Sequence, residues 1–109
     1  MHQILESDWK IFRQIHPIAC ERFCAKVLSE VGSVLASREL SAHDKFLELH
    51  QLIRQRDKKL AELFDDVRRS TAVHQIALIG SAGLLTEEEI SQFSVETKRV
   101  IRAYSEVIV

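Results

Sequence analysis

Glycine and proline are scarce in this chain, three and one respectively in 109 residues. So few backbone punctuators exclude a fold built on many tight turns, and also a glycine-rich loop of the kind that cradles phosphates. Only two cysteines occur, Cys20 and Cys24. Four residues apart on a helix, their Cβ atoms would stand about 5–6 Å apart, whereas a disulfide needs about 3.5–4.5 Å. Two such thiols cannot staple the fold, and in reduced form they fit a cytoplasmic setting. Excess charge is missing too: 15 Lys and Arg face 16 Asp and Glu, a net of −1. That balance argues against a dominant electrostatic grip on DNA or RNA. No apolar run, Ile76–Ile79 included, approaches the roughly 20 residues that cross a bilayer. The segment Met1–Asp8 has neither a basic leader nor an apolar signal core. These absences lead us to expect one domain over residues 1–109, cytoplasmic, with no membrane partner and no cofactor.

What is present is apolar residues at helical spacing, with hydrophobic residues at 46% and charged ones at 28%. The spacing predicts an all-α chain, a small irregular bundle of about five helices. A first helix starts near Ser7 or Asp8, either of which can cap it. Its stripe is Leu5, Trp9, Phe12, His16, Ala19, Phe23, Val27, Val31 and Val34. The stripe stays in phase across Pro17, which predicts one long helix kinked there over two separate ones. Gly32 should weaken its far end. A second helix starts at Ser41, with Asp44 in its first turn and a stripe of Phe46, Leu49, Ile53, Leu60, Phe64 and Val67. No apolar residue occurs from Arg54 to Lys59, so Arg56 or Asp57 must face inward. Asp65–Ser70 reads as a turn. A third helix runs from Thr71 to about Ala82 and ends at Gly83, placed for a left-handed cap. Thr86 and Glu89 form a capping box, with Leu85 and Ile90 placed as a hydrophobic staple. That short helix stops near Phe93, and Ser94 caps a last one through Val100, Ile101 and Tyr104.

Several polar groups suggest chemistry, and each has a structural explanation that outweighs it. His16, Cys20 and Cys24 share one helix face and are soft-metal ligand types. They are the metal candidates, with His43, His50 or His74 as a fourth ligand. The paired short spacings of structural zinc sites are absent, however, and cysteine is commonly a small buried apolar residue. His43-Asp44 has the adjacent ligand types of metal phosphohydrolases, but an acid in the first helical turn is expected in any case. No nucleophile elbow occurs, so we expect no enzyme. Arg54, Arg56, Lys58 and Lys59 are the nucleic-acid candidates, yet Asp57, Glu62, Asp65 and Asp66 are interleaved with or close behind them and can pair with such cations. Nucleic acid is therefore not the expected partner. Asp65, Asp66, Arg68 and Arg69 read as a structural polar junction, in which arginine forks tie a helix end.

The first helix also has a second apolar row: Ile4, Ile11, Ile15, Ile18 and, further on, Ala25 and Leu28. A helix apolar over more than half its circumference must be buried on several sides. The sequence thus points to a protein–protein association module, most simply a homodimer through Ile4, Ile11, Ile15 and Ile18. Another protein as partner, a small regulatory protein binding a ligand or metal, and nucleic-acid binding are the alternatives.

Overall fold

A computed structural model describes residues 3–107 of the chain. Five α-helices follow one another: α1 (Glu6–Ala36), α2 (Ala42–Phe64), α3 (Ala72–Ser81), α4 (Glu87–Ser91) and α5 (Val95–Val107), with one 3-10 turn at Arg69–Thr71. There is no strand among the described residues. The fold class read from the periodicity is therefore the one found. No helix among the described residues is long and apolar enough to cross a membrane.

The helix α1 runs unbroken through Pro17 and past Gly32 for 31 residues, about 46 Å at 1.5 Å per residue. Its phase-keeping stripe had implied that continuity. Its start differs from expectation. Leu5 takes the N-cap position with no side-chain bond, and neither Ser7 nor Asp8 caps the helix. The reason is that Asp8 is engaged elsewhere. It is 1% exposed, and its carboxylate accepts from the Ser94 N–H at 2.9 Å, the Ser94 hydroxyl at 2.6 Å and the Thr97 hydroxyl at 2.8 Å. An acid on the first helix thus satisfies one orphan N–H and two hydroxyls at the start of the last one.

The carboxyl end of α2 is tied in the same way by side chains from outside it. His16 Nε2 lies 2.9 Å from the Phe64 carbonyl. A carbonyl only accepts, so this nitrogen carries the proton. Gln75 Nε2 donates to the carbonyls of Leu63 at 2.9 Å and Asp65 at 3.1 Å. Asp66 then turns the chain at a φ of 61°, a left-handed conformation that aspartate tolerates better than most residues.

These ties organise a head in which the first half of α1 packs against α3, α4, α5 and the end of α2. Phe12, Ile15, Ala19, Leu63, Ile76, Ile79, Leu84 and Ile101 form its core. Edge-to-face rings run from Trp9 to Phe12, His16 and Phe64, with centroids 6.1, 5.6 and 5.3 Å apart. The pairing of α3 with α5 is the most extensive, that of α1 with α2 the next. Gly80 is what lets α5 approach α3, since a Cβ there would stand 2.9 Å from Ile101 Cγ2. Gly80→Ala should therefore lower stability by about 1 kcal/mol in urea denaturation, about 2 kcal/mol of overpacking less the helix propensity gained. A rise in stability would mean that α5 yields freely.

The short α4 keeps its capping box: Glu89 N–H donates to Thr86 Oγ1 at 3.1 Å, and Thr86 N–H to Glu89 Oε1 at 2.9 Å. Arg22 of α1 clamps it by two bonds to the Glu89 carboxylate, at 2.6 and 3.0 Å, and one to the Leu84 carbonyl at 2.9 Å. The Arg22 bond, with help from the Thr86 donors, holds the Glu89 carboxyl below its ordinary value of 4.5. A depressed folded-state value stabilises above the unfolded one and is lost as pH falls through the folded one. Glu89→Gln should thus cost stability at about pH 6 and cost progressively less on acidification below about pH 4.5. Urea midpoints of both proteins across that range test this, and a pH-independent difference would contradict it.

Beyond the head the molecule is drawn out. Its extents are 51 × 24 × 24 Å and its radius of gyration is 16.5 Å, against about 13 Å for a compact domain of this length. The excess is a two-helix arm, in which the last half of α1 lies antiparallel to the first half of α2 and, among the described residues, no other helix covers the pair.

Candidate association surface

The arm is held internally by polar bonds at two levels. Lys45 Nζ donates to the Leu35 carbonyl at 2.8 Å. Arg56 grips Glu30 by two bonds, at 3.1 and 2.7 Å, and is the inward-facing polar residue that the gap in the α2 stripe required. Val27 is the one buried apolar residue of the arm's half of α1.

The two sides of the arm differ. One groove is lined by Val34 and Leu52 with the polar side chains of Glu30, Ser33, Glu48, Gln51 and Gln55. The other, about 230 Å³, is lined by Phe23, Cys24, Val27, Leu28, Ile53 and Leu60, together with Arg56 and Asp57. On this second side, large apolar groups stand in water: Leu28 is 67% exposed, Leu35 55%, Phe46 68% and Ile53 48%. Leu28 and Leu35 are seven residues apart, as are Phe46 and Ile53. Seven residues are two helical turns, so each pair lines one face. The Lys45 bond sets Phe46 at the level of Leu35, while Leu28 and Ile53 share the groove. The result is two apolar layers about 10 Å apart along the arm. Charge is absent from this side of α1. Between Cys24 and Ala36 only Lys26 and Glu30 are charged, and Glu30 lines the opposite groove.

The residues singled out from sequence fall elsewhere. Ile4 and Ile15 are buried in the chain's own core, Ile11 is half-buried against it, and Ile18 is the exposed member of the row. The helices α3 to α5 cover the amino-terminal half of α1 after all. Phe46, Ile53 and Val67, which the period assigned to an inward stripe, are exposed. Leu5 is exposed as well, with Ile4 buried in its place.

The metal candidates sit inside the fold. His16 spends Nε2 on Phe64, Cys20 and Cys24 are half-buried free thiols, and burial raises the Cys20 thiol above its ordinary value, with the neighbouring Cys24 contributing. Among the described residues no group of three His, Cys, Asp or Glu side chains is placed to hold a metal ion. In the basic run, Arg56 is committed to Glu30 and Lys59 lies 3.7 Å from Glu62, leaving Arg54 and Lys58 exposed. The junction residues divide. Arg68 pairs with Asp66, whereas Arg69 reaches back to Glu6 and stacks 5.1 Å above Trp9. That bond, followed by the attraction of the Arg69 charge, lowers the Glu6 carboxyl.

With these features established, the chain was compared with known families, curated proteins and solved structures, and it matches none of them.

Proposed function

We propose that this chain is a helical self-association module and that the apolar side of its two-helix arm is where two copies pair. The observation that carries this reading is the pair of uncovered layers, Leu28 with Ile53 and Leu35 with Phe46. Isolated exposed leucines are ordinary on protein surfaces. A contiguous apolar face on a projecting element is not, and such faces mark interaction sites.

A second copy is the occupant because the face is self-complementary. Turn one arm end for end about a line midway between the layers, and the Leu28/Ile53 layer of one copy meets the Leu35/Phe46 layer of the other. Every contact then occurs twice, as a two-fold interface requires. The charge-free side of α1 meets no like charge in that arrangement. Four helices would pack as a bundle, the usual fate of heptad-spaced apolar rows. The face spans roughly 20 Å of arm and two helix widths, some 400 Å² per chain, which places the dimer in the weak, exchanging class.

The reading is non-enzymatic. A cytoplasmic setting belongs to it and is supported by two free thiols, Cys20 and Cys24. Sedimentation velocity of the wild-type chain from about 1 to 200 µM tests the proposal. A concentration-dependent shift from monomer to dimer is expected. A monomer throughout would overturn self-association, whether the face then serves a different protein or none.

A further inference from the structure

Each glycine but one has a reason within the chain. Gly80 admits Ile101, and Gly83 takes a φ of 75° that side chains rarely adopt. Gly32 has neither reason. It lies inside α1, exposed, and a Cβ built there meets nothing within 4 Å. Mid-helix glycine costs about 1 kcal/mol relative to alanine, and nothing in the monomer offsets that.

Its position is informative. Gly32 falls between Leu28 and Leu35, on the side of α1 that also presents Ala25 and Ser29, and so at the level about which the two apolar layers exchange. Polar partners follow the same centre. His43 and Asp57, both exposed and on the flank of α2 beside Phe46 and Ile53, have their midpoint at His50, in the stretch of α2 that faces this part of α1. End-for-end pairing places Asp57 of one copy beside His43 of the other, at both ends of the face.

We infer that Gly32 marks the two-fold axis of an antiparallel arm-to-arm dimer, where its missing side chain lets two α1 helices approach closely, and that His43–Asp57 contacts between copies fix the register. This rests on the self-association reading above and specifies its geometry. Small residues at a helix crossing shorten the interaxial distance, as Gly80 already does within one chain.

The test uses the full chain and sedimentation velocity, with Leu28→Glu/Ile53→Glu as the reference for loss of the arm face. Gly32→Leu should weaken dimerisation at least about tenfold, with a melting temperature at low concentration no lower than that of wild type, because the monomer has room for the side chain. Gly32→Ala should weaken it less and raise monomer stability. Asp57→Lys should weaken pairing several-fold, and adding His43→Glu should restore it. If Gly32→Leu dimerises like wild type while the reference variant does not, the arm pairs but not across Gly32, and this inference falls alone. If the charge exchange fails to restore pairing, the antiparallel register is wrong. A wild-type chain that never dimerises removes both this inference and the reading beneath it.

Discussion

Asp8→Ala is expected to lower the stability of the fold by about 3 kcal/mol, a large share of the roughly 5–15 kcal/mol that holds a domain together. The carboxylate accepts three bonds at the start of α5, from a backbone N–H and two hydroxyls. Hydrogen bonds to a charged group are worth about 1.5–3 kcal/mol each, and the cost of burying the carboxylate offsets part of the total. Alanine leaves the Ser94 N–H without its acceptor, beside the 3%-exposed Thr97. Asp8→Asn keeps one carbonyl oxygen for that N–H and should cost about half as much. Urea denaturation followed by circular dichroism measures both. A loss below about 1 kcal/mol for alanine would show that Asp8 does not organise the junction of α1 and α5.

Leu28→Glu/Ile53→Glu is expected to weaken dimerisation by about 100-fold or more. A two-fold interface receives every substitution twice, so four carboxylates would enter one apolar seam and face one another. The same pair should leave the monomer nearly untouched, since substitutions at exposed sites usually stay within about 0.5 kcal/mol. Sedimentation at about 100 µM should therefore give a monomer, while melting at about 1 µM stays within a few degrees of wild type. A variant that pairs as tightly as wild type would exclude this side of the arm as the contact. A variant that unfolds would show that Leu28 or Ile53 supports the monomer, contrary to their exposure.

Features that act over a few residues were readable in the sequence. The Ser41 cap, the Thr86/Glu89 box and the Gly83 turn each need only neighbours three to five positions away, and all three are present. A local gap in an apolar row likewise implies an inward Arg56 or Asp57, and Arg56 takes that place on Glu30. What the sequence does not display depends on partners far along the chain. Asp8 looked like a cap for its own helix, because nothing local reveals Ser94 and Thr97, which lie 86 and 89 residues away. His16 and Gln75, which tie the end of α2, gave no local sign of that role. Which part of α1 is left uncovered is illegible in the sequence for a related reason. Periodicity tells which residues share a face, not whether another element covers it. Both halves of α1 look oversupplied. The head covers Ile4 and Ile15, whereas the arm has no third helix to cover Leu28 and Leu35. The seven-residue spacing of Leu28 with Leu35 and of Phe46 with Ile53 was the available signal, but it pointed to a seam only once the arm was seen to stand alone.

The bond between Asp8 and the start of α5 also orders events in time. It closes a loop of 86 residues, and such distant contacts form late because the chain loses entropy before they repay it. The arm asks far less. Its two helices are neighbours in sequence, joined by a few residues at the tip, and pair as a local hairpin. On a ribosome, α1 and α2 emerge complete while α5 is still unmade, so the amino-terminal half of α1 must wait for the cover that α3 to α5 later supply. The apolar side of the arm is therefore available to a neighbouring chain before the head has closed.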